Sequence, residues 1–192
     1  KEVKEITDMP DFKGYLSDLG GPSANMYKMN GKDENICAKC KRPSCIHPKI
    51  CKNLNVDHSH LLEIYKAVDK IPKIKKSFIG SGVRYDMLLH RNEDDRLNKI
   101  SEEYTKELIV NHVSGRLKVA PEHTSDKVLS YMRKPSFEQF YTFQKIFEKI
   151  NKESGLKQQL IPYFISSHPG CTEIDMAELA VATKPLGFKL EQ

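Results

Sequence analysis

Short β-type runs alternate with amphipathic helical stretches along nearly the whole chain. The predicted strands cover residues 12–19, 74–80, 117–120, 159–165 and 187–190. The segments between them lack the short turn sequences that are typical of antiparallel hairpins. Strands separated by helical crossovers favour a parallel sheet with helices outside it. The pattern therefore predicts an α/β protein, doubly wound or barrel, whose ligands bind at the carboxyl ends of the strands.

The helical stretches are predicted from apolar residues that recur at helical spacing. One stretch ends at Pro72, and a second covers residues 95–112. Ser136 with Gln139 has the pattern of a capping box, and Thr172 is the predicted cap of the last helix. The phenylalanine-rich stretch 136–153 is predicted to pack on the sheet rather than to line a ligand site.

The composition is that of a folded globular protein. The 192 residues suit one domain, with 39% hydrophobic and 30% charged residues. The net charge of +5 permits an anionic ligand but does not indicate a nucleic-acid protein. No apolar run approaches the roughly 18 residues of a membrane span, so we expect a cytoplasmic protein. Because the chain starts at Lys1 and ends inside an apolar pattern, we also expect a piece of a longer protein.

Four of the five cysteines lie within fifteen residues of a long polar loop, residues 22–57. Cys37, Cys40, Cys45 and Cys51 have the spacing C-x2-C-x4-C-x5-C. In a reducing compartment such a cluster indicates a metal site before it indicates disulfides. The thiolates can converge on zinc or on an iron–sulfur cluster, and the spacing does not decide between them. The alternative is a set of free thiols on a loop.

Several motifs occur in an order that resembles the YgiQ family of radical SAM proteins. They are CKRPSCIHPKICKNLNVD, FIGSGVRYD, LKVAPEHTSD and IPYFISSHPG, and the match extends from FKGYLSDLGGPSAN to GFKLEQ. The resemblance implies a partial (β/α)6 radical SAM barrel, a TIM-like fold. It would be one domain over residues 1–192, truncated at both ends, with 22–57 as a Cys-rich insertion loop after the first visible strand.

The same resemblance implies the cofactors. Radical SAM enzymes bind a 4Fe-4S cluster that reduces S-adenosylmethionine (SAM) to methionine and a 5′-deoxyadenosyl radical. That cluster is held by a C-x3-C-x2-C motif, which is absent from this chain. The implied partners are SAM, an unknown substrate and an electron donor. Without the cluster motif, these 192 residues alone are expected to be inactive, and the four clustered cysteines would bind zinc or a second cluster.

Two early strand-end turns correspond to the amino-acid half of a SAM site. Gly20 and Gly21 stand where such enzymes receive the amino group of SAM, although the acidic residue that commonly follows is missing. Their alternative role is a simple strand-exit turn. Ser81 and Arg84 follow the next strand, and Arg84 is placed to pair with the SAM carboxylate. The alternative for Arg84 is a structural ion pair.

Two later turns correspond to the nucleoside half. Glu122 resembles the carboxylate after the fourth strand of radical SAM enzymes, which lies near the ribose or amino group of SAM. Its alternative role is that of a loop carboxylate that faces water. His168 stands in the turn that packs by the adenine, where it could stack on the base or shuttle a proton. Its alternative is to fix the turn through a backbone hydrogen bond. Cys171, just past this turn, is predicted to begin a helix without a redox role.

Two other classes of function remain open from the sequence. One is a zinc-stabilised binding module that contacts RNA through the basic stretches 39–42 and 73–76, although these are not interleaved with aromatic residues. The other is a metal-independent hydrolase that uses Glu122, His123 and His168. No nucleophile–base pair is visible for the hydrolase.

Overall fold

The computed structural model describes residues 1–20 and 25–187, in which helices and short strands alternate. The strands are β1 (Tyr15–Leu16), β2 (Lys76–Ser77), β3 (Arg116–Glu122) and β4 (Gln159–Phe164). The helices are α1 (Glu2–Thr7), α2 (Glu34–Ala38), α3 (Ser59–Asp69), α4 (Tyr85–Leu89), α5 (Asp95–Asn111), α6 (Asp126–Tyr131), α7 (Glu138–Glu153) and α8 (Glu173–Thr183), followed by a 3-10 helix (Lys184–Leu186).

The described strands pair in parallel, as the helical crossovers predict. β1 pairs with β2, and β3 pairs with β4. A single parallel bridge between Val83 and Val119 connects the two pairs. Among residues 1–20 and 25–187 the strands form open sheets and no closed barrel. The predicted strand at 187–190 lies, apart from Gly187, outside the described residues, so the truncated barrel stays a prediction.

The helix predictions agree with the structure more closely than the strand predictions. The predicted helix 95–112 is observed as Asp95–Asn111. Thr172 caps α8 in a complete capping box with Asp175. The capping box predicted for Ser136 is wrong, because α7 begins at Glu138 and its N-cap makes no side-chain hydrogen bond. Instead, the Asp126 carboxylate accepts bonds from the Ser136 hydroxyl and the next backbone N–H.

The main core lies between the parallel strands and a layer of helices that includes α3, α5 and α7. Leu117 and Val119 of β3 are fully buried, as are Phe140 and Phe143 of α7. Full burial of one such side chain stabilises a fold by about 1.5–3 kcal/mol. The phenylalanine stripe of α7 is therefore core, as predicted.

The Cys-rich loop has a small core of its own. Leu54 and Val56 are buried against Met87 of α4, with Ile46 and Ile50 packed beside them. The loop also contains α2 and an isolated antiparallel bridge between residues 31 and 54. Its described part is thus attached to the rest of the chain by apolar contact as well as by chain connection.

Candidate functional site

Asp18 organises the carboxyl ends of β1 and β2. Its carboxylate accepts hydrogen bonds from the backbone N–H groups of Gly20 (2.8 Å) and Gly80 (3.1 Å), and from the Ser81 hydroxyl. Although burial raises the pKa of Asp18, the bonds from Ser81, Gly20 and Gly80 lower it overall. Two predicted site residues, Gly20 and Ser81, are therefore held on one carboxylate. Gly21 lies outside the described residues.

Arg84 is engaged in an internal ion pair. Its guanidinium donates to Asp86 through Nε (3.1 Å) and Nη2 (2.5 Å), and both side chains are largely shielded from solvent. The buried Asn25 side chain holds the Arg84 backbone by two hydrogen bonds, 2.9 Å to the carbonyl and 2.7 Å from the N–H. The structural ion pair that the sequence left open for Arg84 is thus observed.

Glu122 does not face water as an isolated loop carboxylate. Its Oε1 lies 2.9 Å from the Lys134 Nζ, and only 14% of the side chain is exposed. The residue has φ of 69° at the end of β3, a left-handed conformation that is uncommon for residues other than glycine. This backbone conformation and the Lys134 contact together fix the position of the carboxylate.

A cavity of about 180 Å³ is lined by residues from both ion pairs. Its lining includes Arg84 and Asp86 of the first pair and Lys134 of the second, together with Ala120 and Pro135, but not Glu122 itself. The predicted residue Arg84 is thus brought to the same cavity as the partner of the predicted residue Glu122. His168 is not part of this lining. Its Nδ1 donates to the Pro169 carbonyl at 2.8 Å, which is the turn-fixing alternative.

A cluster around His123 was not predicted as a unit from the sequence. The buried His123 ring accepts a hydrogen bond at Nδ1 from the Ser125 N–H (3.0 Å), and its Nε2 lies 3.5 Å from the Cys171 Sγ. The neutral ring therefore carries its proton on Nε2, toward the sulfur. Burial lowers the pKa of His123, Asp175 opposes this shift and His168 adds to it. The Thr172 cap of α8 was predicted from the sequence, whereas the hydrogen bond from Ser125 to Asp175 that links α8 to this turn was not.

Asp175 provides a prediction about pH. Hydrogen bonds from the Thr172 N–H and hydroxyl, and from Ser125, lower its pKa from 3.8 to about 2. A carboxylate with a lowered pKa in the folded state stabilises the protein above its unfolded pKa and loses this contribution as the pH falls. We expect wild type to be more stable than Asp175→Asn, with the largest difference in the free energy of unfolding above about pH 4 and a smaller difference toward pH 2. Urea midpoints measured from pH 2 to 7 test this.

The control for the measurement of stability against pH is Asp8→Asn, which removes an exposed carboxylate paired with Lys73. It corrects for the loss of one surface charge. A stability difference for Asp175→Asn that is the same at pH 2 and pH 7 would contradict the assignment of this pKa.

The four clustered cysteines are free thiols in the structure. Cys37, Cys40 and Cys45 are exposed, and Cys51 is partly buried. The Cys37 sulfur accepts a hydrogen bond from the Asn53 amide at 3.2 Å. Within the described part of the chain, no three cysteine sulfurs lie within 4.8 Å of one another. A metal centre at this loop stays a prediction.

These observations define an α/β protein with parallel strands whose polar side chains gather at the carboxyl ends. Over its full length the chain is 77% identical to a UPF0313 protein of Bacteroides thetaiotaomicron and 69% identical to one of Porphyromonas gingivalis. It is 46% identical to a UPF0313 protein of Pseudomonas syringae. The chain covers 31%, 30% and 24% of these relatives. Over its whole length the chain is therefore similar to one segment of these UPF0313 proteins, and that segment makes up about a quarter to a third of each of them.

Two further comparisons gave no match. Neither a protein-family profile nor a solved structure matches the chain. A search of the described residues for a helix that is long and apolar enough to cross a bilayer also found none.

Proposed function

We propose that this chain is part of a radical SAM enzyme with a partial (β/α)6 barrel, and that its strand-end turns bind S-adenosylmethionine. The proposal starts from the order of the sequence motifs and from the parallel strands with intervening helices. In such architectures the ligands bind at the carboxyl ends of the strands. Gly20, Ser81, Arg84 and Glu122 all lie at those ends.

The observation that carries the proposal is the 180 Å³ cavity lined by Arg84, Asp86 and Lys134, with Glu122 paired to Lys134. Arg84 and Lys134 offer positive groups, and Asp86 and Glu122 offer negative ones. A ligand that carries both an ammonium and a carboxylate can exchange partners with both pairs, because each of its charges meets an opposite charge. The amino-acid end of SAM is such a ligand.

The cavity limits how much of SAM these residues can hold. Complete small-molecule pockets have about 300–1,000 Å³, so this volume fits the amino-acid end and not the nucleoside as well. When bound beside a reduced 4Fe-4S cluster, SAM supplies the 5′-deoxyadenosyl radical. The residues of this chain would hold and orient the amino-acid end. We place the cluster ligands outside these 192 residues, because the C-x3-C-x2-C spacing is absent from them.

The Cys-rich loop is proposed as a second metal site, separate from the SAM site. Cys37, Cys40, Cys45 and Cys51 would bind zinc or a second cluster after their sulfurs converge. Exposed thiols on a loop can approach a metal without disrupting the main core, because the loop packs mainly through its own small cluster around Leu54.

Glu122→Gln tests the proposed site. In protein of natural length, reconstituted anaerobically with iron and sulfide, we expect this change to weaken SAM binding about 10–100-fold. The reason is that a hydrogen bond to a charged group contributes about 1.5–3 kcal/mol. Isothermal titration measures the affinity, and formation of 5′-deoxyadenosine under reducing conditions measures the cleavage of SAM.

Glu138→Gln is the matched control, because Glu138 is an exposed carboxylate at the start of α7. Equal SAM affinity in the two variants would remove Glu122 from the site. Purified protein that holds zinc but no iron, and that forms no 5′-deoxyadenosine after reconstitution, would overturn the proposed enzyme class.

A further inference from the structure

Three side chains of metal-binding type meet near the ends of α3 and α5, and none of them lines the cavity. Asp69 is the last residue of α3, just before β2. Glu107 lies near the end of α5, and His112 is the C-cap of the same helix, just before β3. One ligand atom from each of the three lies within 4.8 Å of the others. The cluster is therefore separate from every residue that the proposed function uses.

The hydrogen bonds of the His112 ring determine which nitrogen carries the proton. Nδ1 lies 3.0 Å from the Ser77 carbonyl oxygen, which can only accept a hydrogen bond. Nδ1 is also 3.1 Å from the Ser77 hydroxyl, whose own proton is donated to Asp69 at 2.7 Å. Nδ1 is therefore the donor, and the neutral ring has its lone pair on Nε2. A carbonyl that accepts from one ring nitrogen is the usual partner of a metal-binding histidine.

Nε2 of His112 is buried and has no hydrogen-bond partner, although it points at two carboxylates. The side chain has no solvent exposure, and Nε2 lies 3.4 Å from Glu107 Oε1 and 3.7 Å from Asp69 Oδ2. These separations are longer than the roughly 2.7–3.2 Å of an N–H···O hydrogen bond. They are close to the edge of a zinc tetrahedron, since bonds of about 2.0–2.2 Å place two ligand atoms about 3.3–3.6 Å apart.

We propose that His112, Asp69 and Glu107 form a binding site for a divalent ion of the zinc type, with a further position open to water. A lone pair that faces two carboxylates is electrostatically unfavourable, and a cation between the three atoms removes the repulsion. The imidazole nitrogen favours zinc over magnesium or calcium, which prefer oxygen ligands only. Asp69 and Glu107 are partly exposed, so the ion can enter from solvent.

The role of this ion is structural. It joins the ends of α3 and α5, and Ser77 of β2 holds the ligand His112 in orientation. The site stands independently of the proposed SAM site, because no residue is shared between them.

Zinc titration of protein of natural length tests the site. The changes Cys37→Ser, Cys40→Ser, Cys45→Ser and Cys51→Ser are introduced first, so that the loop thiols do not compete for the ion. In this background we expect Glu107→Gln to weaken Zn²⁺ binding at least about 100-fold, since loss of even an outer partner of a metal ligand costs about 10–100-fold. Competition with a chelator measures the affinity, and elemental analysis measures the stoichiometry.

The matched control is Glu102→Gln on the same helix, because Glu102 is exposed and pairs with Arg91. We expect this control to bind zinc as the background protein does, and we expect zinc to raise its melting temperature but not that of Glu107→Gln. Nitrogen-15 NMR supplies a second measurement: on zinc addition the His112 Nε2 resonance should move from the position of an unprotonated nitrogen to that of a metal-bound one. Equal zinc affinity in the two variants, or a protonated Nε2 that zinc does not displace, would overturn the site.

Discussion

Arg84→Met is expected to lower the free energy of unfolding by about 3–5 kcal/mol. The change leaves the Asp86 carboxylate, of which only 8% is exposed, without the two hydrogen bonds that compensate its burial. A buried charge that loses its partner costs far more than an exposed one, because water cannot take the partner's place. Urea denaturation of wild type and variant measures the difference.

Arg91→Met is the matched control for this prediction. Arg91 also pairs with a carboxylate, Glu102, but both side chains are more than half exposed. Surface pairs of this kind contribute about 0–1 kcal/mol. In addition, Asp86→Leu combined with Arg84→Met should recover most of the lost stability, since no charge then remains buried. Equal losses for Arg84→Met and Arg91→Met would show that the Arg84–Asp86 pair is not buried in solution.

Phe143→Ala is expected to lower the free energy of unfolding by about 3–5 kcal/mol through loss of buried surface and formation of a cavity. Phe143 is fully buried in the main core and stacks on Tyr85, with ring centroids 5.9 Å apart. The change removes a contact between α7 and Tyr85 of α4, which is one of the residues that line the cavity. Thermal and urea unfolding measure the loss.

Ile174→Ala serves as the control, because this apolar side chain of α8 is 71% exposed. Its replacement should change the stability by no more than about 0.5 kcal/mol. If Phe143→Ala were as mild as Ile174→Ala, the burial of Phe143 in the main core would be contradicted. A large loss with intact secondary structure would support it.

The helices could be predicted from the sequence because their signals are local. The apolar stripe of α5 and the Thr172–Asp175 capping box each involve residues only a few positions apart, so the chain itself contains the information. The strand limits were less accurate: the runs 12–19 and 74–80 contain only two-residue strands, β1 and β2. Strand pairing depends on a distant partner, and the run alone does not specify its limits.

The candidate site could be predicted only as far as the strand ends. From the polar turns we predicted Ser81, Arg84 and Glu122 as site residues, and in the structure each of them lies at or just after the carboxyl end of a strand. The turns did not predict Asp86 and Lys134, because the ion-pair partners come from helices and turns whose approach is decided by packing. His112 could not be predicted as a metal ligand either, because in the sequence it is an ordinary residue at the end of a predicted helix. Its partner Asp69 is 43 residues away in the chain.

The sequence by itself determined the alternation of helices with parallel strands, the polar turns at the strand ends and the absence of a C-x3-C-x2-C motif. These features depend on residue type and short spacing. The tertiary structure decided which charges are paired, which thiols are exposed, and that His112 faces two carboxylates with an unbonded nitrogen. The physical reason is that burial and contact between distant segments set the cost of a charge or a lone pair, and neither can be read from neighbouring residues.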